Sequence, residues 1–516
     1  MVDGAAATLE EIFEIARAMT TERDVTKLLA VILEKSRYIT SADAGSIYVV
    51  EGDGPSAKLR FKLSQNDSVT FDSREFVMPI SKKSIAGSSI VNRKPINIAD
   101  VYNLPPDSPF QFDRSFDAKI GYITRSMIVV PLFSQRDEAI GVIQLINRKR
   151  NRDRKLQSFD DAEREVVAFD ESSEELLQLV ASQAAASLEN ALLYSEITGL
   201  FEGFVTASVE AIESRDPTTS GHSRRVADYS VRLASVVDAE SLGYYKGIRF
   251  TKNELRELEY ASLLHDFGKI GVRERVLVKA KKLFDERLEV IRSRFDYVLR
   301  TLETKALREK VARLQAGASK EEIESLDQDY ERKREALEAA YSAVLNANEP
   351  TVLSGGDFAR ISELKNERYE DIQGNQCPLL HDEEIAALSI PRGSLTAEEI
   401  EEIRSHVSHT YRFLSRIPWG KTLKNVPSIA GAHHEKLDGT GYPNGMKGPE
   451  IPLASKIMSI ADIYDALTAS DRPYKKAVPA DRALDILEFS VKDGHLDAEL
   501  VKLFRVSRVW EVPSAH

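Results

Sequence analysis

The chain has 516 residues, 42% of them apolar and 29% charged, and a formal charge of −12. That length exceeds what one core serves, so two or three domains are expected, and the acidity argues against a general nucleic-acid binder. No apolar run approaches the roughly 20 residues of a membrane span, the first residues lack the basic-then-apolar order of a signal peptide, and Cys377 is the only cysteine, so a cytoplasmic protein without intrachain disulfides or a cysteine metal cluster is expected.

The first 170 or so residues mix helical and strand periods. In "TERDVTKLLAVILEKSRYIT", Val25, Leu28, Leu29 and Ile32 share one helix face. "GSIYVVE", "KLRFKLS", "RSMIVVPL" and "AIGVIQLINRK" are short, β-branched and bounded by turns, which predicts strands. "SIAGSSIVNRKPINIAD" predicts a short helix followed by an extended stretch. In this order the segments resemble a GAF domain over roughly residues 8–195. The resemblance implies an α+β fold, an antiparallel sheet flanked by helices, used as a sensor. Cyclic-nucleotide GAF domains carry an Asn-Lys pair followed at a distance by Phe and Asp-Glu. Here the pair is Asn147-Arg148, and "NRDRKLQSFDDAEREVVAF" intrudes before Phe169 is reached. Binding of a small-molecule ligand and a role in dimerisation alone both stay open for this domain.

A long helical stretch follows. Leu177, Ala181, Ala184, Leu188 and Ala191 are spaced 4-3-4-3, and no Gly or Pro intervenes before Gly199. The seam reads as a signalling helix paired with its copy in a homodimer, or as one helix packed on its own domain. The expected layout is a sensor over residues 1–173, a linker helix over 174–200, and a helical domain over 201–516. The last is interrupted over 283–394 by a mostly helical insertion, in which two charged helices break near "AGAS" and an irregular return follows.

Histidines carry the chemistry. His222 lies in "SGHSRRVADYS", His265 and Asp266 in "YASLLHDFGKIG", His406 in "EEIRSHVSHTYRFL", His433 and His434 in "AGAHHEKLDGTGYP", and Asp462 in "KIMSIADIYDAL". Imidazole and carboxylate suit iron, manganese and zinc. Five His and two Asp exceed one tetrahedral site and match two metals sharing a carboxylate.

Their order resembles that of the HD-GYP family of metal-dependent phosphohydrolases, through "GHSRRVA", "HDFGKIG", "SH", "HHEKLDGTGYP" and "ADIYDALTASDRPYKK". The resemblance implies an all-α helical bundle that hydrolyses cyclic di-GMP to the linear dinucleotide pGpG, or on to GMP. It implies two divalent metals, iron or manganese ahead of zinc or magnesium. Asp266 would bridge them, with His222, His265 and Asp462 on one and His406, His433 and His434 on the other. It implies Asp266 and Lys269 as catalytic residues, and Arg472 and Lys475 as cations on substrate phosphates. Gly441, Tyr442 and Pro443 would shape the substrate site and meet partner proteins, though Tyr442 also fits a purely structural turn. Members with a third metal carry Glu where this chain has Thr218, which implies two metals. Three alternatives stand beside this reading: another cyclic dinucleotide as substrate, a receptor that binds cyclic di-GMP without cleaving it, or an adaptor working through the inserted hairpin.

Overall fold

The computed structural model describes residues 13–52, 54–71, 74–215, 221–351, 355–469 and 477–511. The chain divides into two compact units, Met1–Glu202 and Gly203–His516.

In the first unit, helix α1 (Val25–Thr40) starts at Asp24, whose carboxylate accepts from the Lys27 amide. It leads into a seven-stranded sheet. The strands are β1 (Ala42–Glu51), β2 (Lys58–Asn66), β3 (Val77–Pro79), β4 (Ile96–Ile98), β5 (Met127–Phe133), β6 (Ala139–Lys149) and β7 (Val166–Val167). The path is β3-β2-β1-β6-β5-β4, with β7 added beside β6, and the pairings are antiparallel. Helix α2 (Ile85–Asn92), capped by Ser84, occupies the predicted position. Alternation in the strands divides the core into two layers. Ile47, Val49, Ile128, Val130, Ile143 and Leu145 face one side. Tyr48, Met127, Val129 and Val142 face the other, with Leu59, Phe61, Ile85 and Ile90. This is the expected α+β arrangement.

Helix α3 (Glu171–Arg215) runs for 45 residues, through Gly199 and Gly203. The 4-3-4-3 seam does not face a second copy. Leu177, Ala181, Ala184, Leu188 and Ala191 are at most 4% exposed and pack with Leu28, Ile32, Leu33 and Ile47. A narrow apolar stripe fits the face of a sheet-and-helix core as well as it fits another helix, and here its own domain covers it.

The second unit is built from helices. They include α4 (His222–Ala239), α5 (Lys252–Leu264), α6 (Asp285–Gln315), α7 (Lys320–Asn348), α8 (Ala397–Leu414), α9 (Val426–Ala430), α10 (Leu453–Thr468), α11 (Ala480–Lys492) and α12 (Ala498–Val506). Helices α4, α5 and α10 pack together, and α8 packs on the turn that follows α5. Capping boxes start α5 at Thr251 and α8 at Thr396. Between them, α6 and α7 pair through a break at Ala316–Ser319, where Ser319 caps α7. This segment has its own core of Leu283, Ile291, Phe295, Val344, Ala347, Leu379 and Leu388. Arg294 holds Glu384 through two bonds of 2.8 Å. In the return segment of the mostly helical insertion, β8 (Arg368–Glu370) and β9 (Gln376–Pro378) form a two-stranded ribbon. No helix among the described residues is long and apolar enough to cross a membrane.

Candidate metal centre

Helix α4 begins at His222, with Gly221 in the left-handed region as its cap. Helix α5 ends at Leu264, and His265 and Asp266 stand between it and the tight turn Phe267–Gly271. That turn runs hard against α8. A Cβ at Gly268 would lie 1.8 Å from the His406 carbonyl oxygen, so no side chain fits there. Thr410 locks the contact, donating to the His265 carbonyl and accepting from the Gly268 amide, both at 2.8 Å. His433 and His434 follow α9 in the turn after Gly431, and Asp462 lies on the buried face of α10.

The structure brings all seven predicted donors together. Donor atoms of His222, His265 and Asp462 lie within 4.8 Å of one another, as do those of His406, His433 and His434, and those of His265, Asp266 and His433. Asp266 faces both ways. Its Oδ1 is 3.3 Å from His406 Nε2, and its Oδ2 is 3.5 Å from His265 Nε2.

The imidazoles are set for coordination. Nδ1 of His265, His406 and His433 each lies 2.6 Å from a backbone carbonyl three residues earlier, of Ser262, Ile403 and Ala430. A carbonyl only accepts, so each Nδ1 carries the proton and each Nε2 keeps its lone pair. Those three Nε2 atoms are buried without a hydrogen-bond partner. Buried polar atoms are rarely left so, and lone pairs converging beside carboxylates fit divalent cations. Burial holds His406 below its ordinary pKa, holds His433 well below it, and takes His434 down to about 4, so these rings are neutral at pH 7. Burial opposes the charge on Asp266 and Asp462, but neighbouring cationic and imidazole groups outweigh it and hold both below the usual carboxylate range. Burial also works against a charge on His222, yet its bonds to Asp462 and Asp465 raise it to about 9.

Lys269 reaches back across the turn, its Nζ 2.8 Å from Asp266 Oδ2. The Gly439–Pro443 loop folds over the His pair. A Cβ at Gly441 would meet the Lys436 amide nitrogen at 2.4 Å, so only glycine permits this approach. The Tyr442 amide donates to the His434 carbonyl at 3.2 Å, and the two rings lie 4.9 Å apart. The Arg404 guanidinium lies over the Tyr442 ring, 5.3 Å from its centre. Burial pushes the Tyr442 hydroxyl up, so it stays protonated. Pro443 completes the turn that precedes Asn444. Thr218, Arg472 and Lys475 lie outside the described residues.

Sequence reasoning missed Glu435, Asp465 and Arg225. Buried Glu435 pins the loop, accepting from the amides of Asn444 at 2.7 Å and Met446 at 2.9 Å. Asp465 accepts from His222 Nδ1 at 2.8 Å and from Arg225 Nε at 2.7 Å. Asp465 stands three residues after Asp462, on the same helix face, which was the available signal.

Residues 24–188 match the family model described as GAF domain, and residues 381–500 the model described as HD domain. The second match starts beyond His222, His265 and Asp266, which precede the insertion. Over 168 residues the chain is 36% identical to 3'3'-cGAMP-specific phosphodiesterase 3 of Vibrio cholerae, covering 30% of this chain and 35% of that protein. Over 131 residues it is 38% identical to a cyclic di-GMP phosphodiesterase of Thermotoga maritima, covering 24% of this chain and 34% of that one. The matches thus span about a third of these relatives' length. Among solved structures, residues 122 to 287 of a methyl-accepting chemotaxis protein align at 20% identity and a TM-score of 0.27, covering 35% of this chain and 98% of that one.

Proposed function

We propose that this chain, which carries a GAF domain and an HD domain, is an HD-GYP phosphodiesterase that hydrolyses cyclic di-GMP to pGpG or on to GMP. The observation that carries the reading is Asp266, whose Oδ1 and Oδ2 face the buried Nε2 atoms of His406 and His265, neither of which has a hydrogen-bond partner. Two divalent cations, iron or manganese ahead of zinc or magnesium, held by His222/His265/Asp462 and by His406/His433/His434 with Asp266 shared, would supply Lewis acidity and a water ionised at neutral pH. Lys269 would hold its proton at Nζ for the leaving ribose oxygen, close enough to Asp266 to remain charged until then. Tyr442, Gly441 and Pro443 would border the substrate, and Arg472 and Lys475 would hold its phosphates. The donor set is complete, which favours an enzyme over a receptor. The lone cysteine suits a reducing, cytoplasmic setting.

The test is incubation of metal-supplemented full-length protein with cyclic di-GMP and chromatography of the products. Appearance of pGpG or GMP supports the reading; bound but intact cyclic di-GMP favours the receptor. The Vibrio cholerae relative's name makes 3'3'-cGAMP the second substrate to test.

We further propose a homodimer, in which the GAF domain regulates the hydrolase. A second heptad stripe on α3 supports it: Asn190 is exposed, and Leu193, Ile197 and Leu200 are 48%, 65% and 69% exposed. Ile at an a position, Leu at d and a polar Asn at a are the pattern of two parallel helices.

A further inference from the structure

Each candidate ligand histidine needs its ring oriented and one nitrogen protonated before the other can bind a cation. His265, His406 and His433 take this from the helical turn behind them, through carbonyls three residues back. His222 is the first residue of α4, and its Nδ1 is held by a different element. Asp462 and Asp465 lie one turn apart on α10 and grip the ring from both sides. Nε2 is 3.2 Å from Asp462 Oδ1, and Nδ1 is 2.8 Å from Asp465 Oδ2. Asp465 is 1% exposed. Arg225, one turn along α4, fixes it in turn, with Nε 2.7 Å from Oδ1 and its terminal nitrogen 3.0 Å from Oδ2.

From this geometry we infer that Asp465 is a positioning residue for one metal site only, the one built on His222, His265 and Asp462. A carboxylate accepts and never donates when ionised, so Asp465 holds a proton on His222 Nδ1 and makes Nε2, beside Asp462, the nitrogen at which a cation would replace a proton. It also makes His222 a more basic ligand than the three carbonyl-bonded histidines. The two sites are therefore unequal, and the His222 site fills first. The inference rests on the reading of this cluster as a two-metal centre.

The experiment uses metal-stripped full-length protein titrated with Mn²⁺ alone, read by calorimetry and by the loss of the free-ion paramagnetic resonance signal. Wild type should bind two ions. Asp465→Asn, whose amide can donate to Nδ1 and so move the ring proton to Nε2, should weaken one of the two by about 10–100-fold. Retained binding at the other site reports an intact fold. In a His222→Ala background, Asp465→Asn should cost nothing more, which a merely structural role would not predict. Two wild-type affinities in Asp465→Asn would overturn the inference, as would a loss that adds in full to that of His222→Ala. Should Asp465→Asn bind neither ion because it fails to fold, Arg225→Gln decides: selective weakening of one site is expected, and unchanged affinities overturn the inference. Wild type binding no Mn²⁺ would overturn the two-metal reading itself, and the inference with it.

Discussion

Gly268→Ala should damage the candidate metal centre without touching a candidate ligand. A Cβ there would sit 1.8 Å from the His406 carbonyl oxygen and 2.6 Å from the Thr410 amide nitrogen, where real contacts below 3.0 Å are essentially never seen. Both neighbours are backbone atoms of α8, so neither can swing aside. The turn and the helix must part by about 1.2 Å. That motion breaks the paired bonds of Thr410 to His265 and Gly268. Overpacking of this kind costs about 1–3 kcal/mol, which for a unit spanning Gly203–His516 lowers the melting temperature by about 1.5–5 °C. It also draws Asp266, fixed to the turn, away from His406. A misplacement of about 1 Å can cost about 10²-fold in rate. The assay pairs thermal unfolding with metal content and phosphodiesterase turnover. A variant that melts with wild type, keeps its metal and turns over normally would refute the claimed contact between turn and helix.

Lys269→Ala removes no candidate ligand, so metal content should hold while turnover of cyclic di-GMP falls about 10²–10³-fold; normal turnover would remove Lys269 from the chemistry. The metal-free protein should lose stability as pH falls from 6.5 to about 4, because unfolded His434 takes a proton at 6.5 and the buried ring resists until about 4. His406 and His433 shift in the same direction, so His434→Gln should flatten the slope of unfolding free energy against pH without abolishing it. His222, raised to about 9, acts the opposite way, contributing fully below 6.5 and losing its contribution as pH rises through 9. Ile197→Asp with Leu200→Asp should give a monomer by sedimentation while the fold of the first unit survives, since both side chains are exposed within one chain.

Much of this was written plainly in the sequence. The strands of the first unit follow period-2 alternation, as in Ile47, Tyr48 and Val49, whose neighbours face opposite layers. The seven candidate donors stand out because His and Asp are uncommon beside apolar helical residues, and their order resembles that of the HD-GYP family. What sequence period cannot state is which surface covers a stripe. Leu177 to Ala191 marked a buried face correctly, but spacing alone did not tell a partner helix from the chain's own sheet. Nor does it state contacts across long separations. Asp465 meets His222 across 243 residues, and Gly268 meets α8 across an insertion of more than a hundred residues. The β8–β9 ribbon, three residues a strand, is too short to carry a legible alternation.

The proposed function requires that these histidines and carboxylates hold metals that cleave a cyclic dinucleotide. Its most direct measurement is chromatography of cyclic di-GMP incubated with the full chain, first stripped by chelator and then reloaded with Fe²⁺ or Mn²⁺. Stripped protein should give no product and reloaded protein pGpG or GMP, with Asp266→Ala silent in both states. Intact cyclic di-GMP bound to fully loaded wild type, or equal turnover with and without metal, would contradict it.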